Sequence, residues 1–190
     1  MLTRTQADRL SVLMLDRGNA SGRRFSLVLH GGSMLPFFKD GQKLTVDCGE
    51  GEPNRVGDVI VFERTGRLCA HRVVARFQRG GEPWYVEKGD NQLEWSRVPQ
   101  REVLGKVVAA DGCRLALTGG VLAGAAACFY AKWSYALAVI AALPQSAPLR
   151  LERPAFSWPQ RLVRSLCLRA AKGMLRLLLF AFPARQPERL

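Results

Sequence analysis

Gly57-Asp58-Val59-Ile60-Val61-Phe62-Glu63-Arg64-Thr65-Gly66-Arg67-Leu68-Cys69-Ala70-His71-Arg72-Val73-Val74-Ala75-Arg76-Phe77 reads as two apolar runs hinged on a glycine. Val, Ile and Phe crowd the first run, and β-branched and aromatic side chains suit a pleated, half-buried surface. Thr65-Gly66-Arg67 supplies the turn chemistry of a tight reversal, because glycine takes positive φ without steric cost. The stretch therefore predicts strands at 57–63 and 68–77. Alternation along the second puts Cys69, His71 and Val73 on one face.

The same pattern of short apolar runs between glycine turns extends from Arg24 to about Leu117. It predicts further strands at 24–30, 42–47, 84–88, 103–109 and 113–117, with reversals at Asp40-Gly41, Gly80-Gly81 and Asp111-Gly112. The fold class is mainly β, an antiparallel domain over 24–118. Residues 1–23 precede it, with a short amphipathic helix expected over Thr5 to Asp16. The apolar patch from Leu10 to Leu15 is flanked too closely by Arg and Asp to be the core of a secretory signal.

Beyond Thr118 the character changes. Val121 to Leu143 is 23 residues with one charge, Lys132. At about 1.5 Å per residue such a helix is about 34 Å long, enough to cross a bilayer. Lys132 opposes this, since a mid-span lysine costs about 2.5–3.5 kcal/mol. Residues 119–145 are expected to form a transmembrane or membrane-inserted helix. After the prolines at 144, 148, 154 and 159, a second helix is expected over about 160–182, within a basic amphipathic tail spanning 146–190.

The chain carries a formal net charge of +12. From Arg150 to Arg189 there are nine Lys or Arg against two Glu, a net +7. Arg161, Arg164, Arg169, Lys172 and Arg176 recur at spacings of three to five beside Leu162, Leu166, Ala170 and Leu177, the pattern of a helix lying in a membrane interface. Anionic membrane lipid is the expected partner and the cell membrane the expected location. Nucleic acid attracts the same charge, but basic residues on an otherwise apolar helix favour lipid, and no nucleic-acid partner is expected.

The five cysteines, Cys48, Cys69, Cys113, Cys128 and Cys167, form no CxxC pair. Neither a zinc site nor a disulfide framework is indicated, and they are expected to be reduced and buried. No metal cluster, phosphate loop or dinucleotide fingerprint appears, so no cofactor is expected.

The segment that carries chemistry is His30-Gly31-Gly32-Ser33-Met34-Leu35-Pro36. Paired glycines let the backbone approach a substrate and can point N–H groups at a developing oxyanion. A serine is a poor nucleophile until a base accepts its proton. Downstream stand Gly57-Asp58-Val59-Ile60-Val61-Phe62, Ala70-His71-Arg72-Val73-Val74 and Glu87-Lys88-Gly89-Asp90-Asn91. These four blocks, in this order, resemble the type I signal peptidases over about residues 24 to 110, and His71-Arg72-Val73 matches the branch whose base is histidine.

The resemblance implies a signal-peptidase-like β catalytic domain in which Ser33 attacks the scissile carbonyl and His71 takes its proton. It implies that Asp90 orients or electrostatically supports the site. Gly31, Gly32 and Ser33 would form the oxyanion donors, Met34 and Pro36 would contact substrate, and the substrate would be a signal or leader peptide of a preprotein. Among small apolar neighbours, desolvation is expected to keep His71 neutral and able to accept a proton. His30 would have to fold back over two glycines to compete. Lys88 matches a family position that is not catalytic.

Two features depart from the family pattern. Gly31 occupies the position two residues before the nucleophile, where a serine or threonine hydroxyl often assists. The apolar segments follow the β domain, whereas relatives commonly carry an anchor before the serine. Self-cleaving repressors, which share the serine motif, need a DNA-binding domain that the 23 residues before the first strand do not supply. The remaining alternative is a membrane-bound module that holds peptides without cutting them.

Overall fold

Thr65 and Gly66 both take positive φ, +48° and +75°, so the chain reverses in the tight form that matches strand twist. The hairpin expected around them is present, and the rest of the sheet is built on it. The computed structural model describes residues 24–48, 54–114, 120–142 and 158–182. The helix expected over 5–16 lies outside the described residues.

Among the described residues, eight strands form one antiparallel sheet: β1 (Arg24–Val28), β2 (Lys43–Asp47), β3 (Val59–Arg64), β4 (Arg67–Arg79), β5 (Glu82–Lys88), β6 (Trp95–Pro99), β7 (Val103–Ala110) and β8 (Cys113–Arg114). Their order is β1-β2-β7-β3-β4-β5-β6, with β8 paired to β7. Register shifts occur at Thr45/Val46, Val61/Phe62 and Val73/Ala75. Such bulges add local twist and bend the ladder, which lets the sheet build a core on each face.

On one face Met34 and Phe38 pack with Leu44, Val46, Val59, Val61 and Val107. On the other, Ile60, Phe62, Val73, Tyr85 and Val98 form a second cluster, joined by Cys69. The expected common face of Cys69, His71 and Val73 is therefore formed. Strand β6 was not anticipated from the sequence. It ends in Pro99 at the sheet's edge position, where a missing N–H is tolerated.

Among the described residues two helices follow, α1 (Gly120–Ala142) and α2 (Trp158–Ala181). Apart from Tyr130, the buried positions of α1 are small residues, Ala123, Ala127, Ala131, Ser134, Ala138 and Ala141, most of them at three- and four-residue spacings. This stripe lets the helix approach its neighbours closely. A Cβ at Gly57 would lie 2.8 Å from the carbonyl carbon of Ala127, so glycine is required where α1 meets the turn before β3. Ala131 packs with Val74 and Val86. Ala138, Ala141 and Cys167 enclose Leu93, and Arg164 of α2 pairs with Glu94.

Both helices thus pack on the sheet domain. Among the described residues, Val121–Ala142 is one segment long and apolar enough to cross a membrane. Lys132 is exposed and lines an apolar groove of about 590 Å³ between β4 and α1. The cysteines are free, as expected, but Cys48 is exposed and only Cys167 is fully buried.

Candidate active site

The segment from Leu29 to Gln42 closes on itself through Leu29 N–H to Gln42 O (2.9 Å) and Gly41 N–H to Leu29 O (2.8 Å). Gly31 takes φ +96°, a conformation that favours glycine. Its N–H donates to Asp40 Oδ1 at 2.7 Å, so it is committed and leaves the expected oxyanion set. The N–H groups of Gly32 and Ser33 have no acceptor among the described residues. Met34, expected to face substrate, is fully buried in the core. With Phe38 it anchors the loop, while Leu35 is exposed and Pro36 half-buried.

Ser33 is half-buried at the tip of this loop. Its carbonyl accepts the Asn91 N–H at 2.7 Å, and the Asn91 side-chain amide donates to Gly32 O at 2.8 Å. A Cβ at Gly89 would sit 2.8 Å from Ser33 O. The serine loop and the Gly89-Asp90-Asn91 turn are therefore fastened together through the Asn91 N–H and side-chain amide.

Consecutive residues of β4 point to opposite faces, and the pair His71-Arg72 uses both. Arg72 is buried and donates from Nε and Nη2 to the two carboxylate oxygens of Asp90 at 2.9 and 2.8 Å. Its Nη1 donates to Gly57 O at 2.8 Å, and its guanidinium lies 4.5 Å from the Phe37 ring centre and 5.4 Å from that of Tyr130. Asp90 is thus engaged by Arg72 and makes no hydrogen bond to His71. Through Arg72 it ties the Gly89-Asp90-Asn91 turn to β4, and it does not orient the imidazole.

His71 faces the other way, with its side chain 14% exposed. Nδ1 lies 2.5 Å from Glu87 Oε2, and the ring meets Phe62 edge-on at 6.0 Å. The expected apolar surroundings are only half right, because a buried carboxylate stands beside the ring. Glu87 Oε1 also accepts from Arg64 Nη2 at 2.7 Å and from the Ser96 hydroxyl. Burial alone would push the Glu87 carboxyl up, but His71, Ser96 and Arg64 together hold it below the ordinary range. Glu87 opens the last of the sequence blocks, where the sequence assigns it no role. The available signal was its place two residues before Gly89 on a strand adjacent to that of His71.

Ser33 and His71 are not hydrogen-bonded to each other in this structure. They stand at the same end of β4 and β5: Gly89 abuts Ser33, and Glu87, two residues earlier, holds His71. His30 lies at the surface, 82% exposed, with Nδ1 3.9 Å from Asp40 Oδ1. Lys88 is fully buried opposite Arg72, and its Nζ donates to Gly89 O at 3.0 Å. Burial pushes its amine down to about 8, with Asp90 opposing and Arg72 adding to the shift.

The described residues hold no cluster of three or more His, Cys, Asp or Glu suited to a metal ion. The arrangement offers a serine on a glycine-flanked loop, two unengaged N–H donors beside it, and a histidine braced by a carboxylate. Comparison of the chain with known family models and with curated proteins finds no match.

Proposed function

We propose that the chain is a serine endopeptidase acting at a membrane surface, in the manner of the type I signal peptidases, on extended signal or leader peptides. The observation that carries this reading is the fastening of the Ser33 loop to Gly89 and Asn91, at the strand end where Glu87 holds His71. Ser33 Oγ attacks the scissile carbonyl carbon as its proton passes to His71 Nε2, the ring nitrogen that Glu87 does not occupy. The tetrahedral oxyanion is met by the N–H groups of Gly32 and Ser33. His71 then gives the proton to the departing amine, and water releases the acyl group by the reverse sequence. Met34 and Phe38 seat the serine loop on the sheet face opposite to the Phe62 and Val73 cluster that His71 meets, so the mechanism requires the Ser33–His71 contact to form around the strand end when substrate binds.

The membrane part of the reading rests on α2. Its buried positions are Cys167, Ala171 and Leu175, whereas Leu162, Leu166, Leu177 and Phe180 face outward, Phe180 at 90% exposure. Arg169 and Arg176 are exposed and border this apolar stripe at helical spacing. An apolar face edged by cations suits an interface rich in anionic lipid. Because α1 packs along the sheet domain, we favour a helical pair lying on the membrane over a free span.

A second reading, a peptide-binding module that does not cut, draws on the lack of a Ser33–His71 hydrogen bond among the described residues and on glycine at position 31. The test is incubation with signal- and leader-peptide substrates on liposomes. Cleavage lost in Ser33→Ala supports the protease. Peptide capture without cleavage, unchanged by Ser33→Ala, identifies the module.

A further inference from the structure

The Glu87 side chain is 2% exposed, and each of its carboxylate oxygens has a partner: Oε2 faces His71 Nδ1, while Oε1 takes Arg64 and Ser96. A buried carboxylate carries a large desolvation cost unless its acceptors are filled, and here the arrangement does more than fill them. Ser96 sits opposite Glu87 in the β5–β6 register, and Val73 sits opposite it on β4. Arg64 reaches in from the end of β3, over the Phe62 ring at 5.2 Å. Partners from β3 and β6 therefore hold Oε1, and with it the carboxylate plane, which leaves Oε2 aimed at Nδ1 of His71.

We infer that Glu87 is the positioning residue of His71: it binds the proton on Nδ1, leaves Nε2 as the acceptor, and stabilises the imidazolium formed when Ser33 is deprotonated. This assignment rests on the Ser33/His71 reading and moves to Glu87 the orienting role that the sequence suggested for Asp90. Asp90 is fully occupied on the opposite face by Arg72. The groups facing the Glu87–His71 contact are Arg64 from β3, Cys69 from β4 and Ser96 from β6. None of them replaces a carboxylate as acceptor for an imidazole N–H. Proton flow balances without a further reactant: the serine proton goes to Nε2 and then to the leaving amine, while the Nδ1 proton stays on the ring.

Two measurements test this. Imidazole 15N shifts of the intact protein, with His71 identified by comparison with His30→Gln, should show Nδ1 protonated and Nε2 bare when the ring is neutral. An Nε2-protonated ring would overturn the inference without need of any active-site variant. In Glu87→Gln the amide can present its own N–H to Nδ1 and drive the proton to Nε2. Its kcat/KM should fall by about 10²- to 10⁴-fold, mainly in kcat, with an altered pH profile. Glu87→Asp should recover part of the loss. A folded Glu87→Gln with the rate and pH profile of the parent, while His71→Ala is inactive, sinks the Glu87 role alone. Full cleavage by His71→Ala sinks both it and the reading beneath it.

Discussion

Lys88→Met should make the protein more stable at neutral pH. The Lys88 side chain is buried, and its amine falls from an ordinary 10.5 to about 8, chiefly through burial. Converted at about 1.4 kcal/mol per pH unit, that difference is a cost of about 3 kcal/mol at pH 7. A lowered folded-state value means that the unfolded chain holds more protons between pH 8 and 10.5. The parent protein must therefore gain stability as pH rises through that window, and the penalty shrinks to about 1 kcal/mol by pH 10. Methionine fills similar space without a charge but forfeits the Nζ–Gly89 O hydrogen bond, a loss of about 1 kcal/mol. The variant should gain about 2 kcal/mol at pH 7 and almost nothing at pH 10, by urea unfolding at both values. Subtracting the parent at each pH removes the other titrating groups. A variant less stable than the parent at pH 7, or a difference independent of pH, would refute the reasoning. Lys88→Met should also keep cutting peptide; loss of cleavage in the folded variant would move the base from His71 to Lys88.

Asp90→Asn leaves the Arg72 guanidinium buried without its counter-charge, and should cost about 3–5 kcal/mol in urea unfolding. Because Asp90 bonds Arg72 and not His71, the folded fraction should retain the parent pH–rate profile, the opposite of Glu87→Gln. Joint replacement of Leu166 and Phe180 by Glu should reduce sedimentation with anionic vesicles by at least tenfold and leave far-UV circular dichroism unchanged; undiminished binding would remove α2 from the membrane contact.

Much of the fold was legible because local chemistry and tertiary demand agree. Thr65-Gly66 supplies the turn it is used for, and the β-branched run from Val59 to Val61 is buried as a strand should be. Trp95–Pro99 was invisible because a short run with Ser and Arg and a terminal proline looks like a loop until β5 supplies its partner. The apolar character of α1 was plain, but its small residues serve a close packing that composition alone does not separate from a span. At the site, order along the chain marked Ser33, His71 and Asp90. It could not say which carboxylate faces which cation, because adjacent residues on a strand point to opposite sides. His71 and Arg72 take Glu87 and Asp90 respectively, an assignment fixed by register across β4 and β5. Met34 shows the same limit, since one step along the loop separates a half-buried Ser33 from a core anchor.

The central claim is that His71 accepts the Ser33 proton, and chemical rescue tests it most directly. Single-turnover cleavage of a leader peptide is measured for the parent, His71→Ala and Ser33→Ala, each with and without added imidazole. The account predicts that both variants lose at least about 10³-fold, and that imidazole restores part of the rate to His71→Ala and none to Ser33→Ala. Cleavage by Ser33→Ala at the parent rate, or by His71→Ala without imidazole, would contradict it.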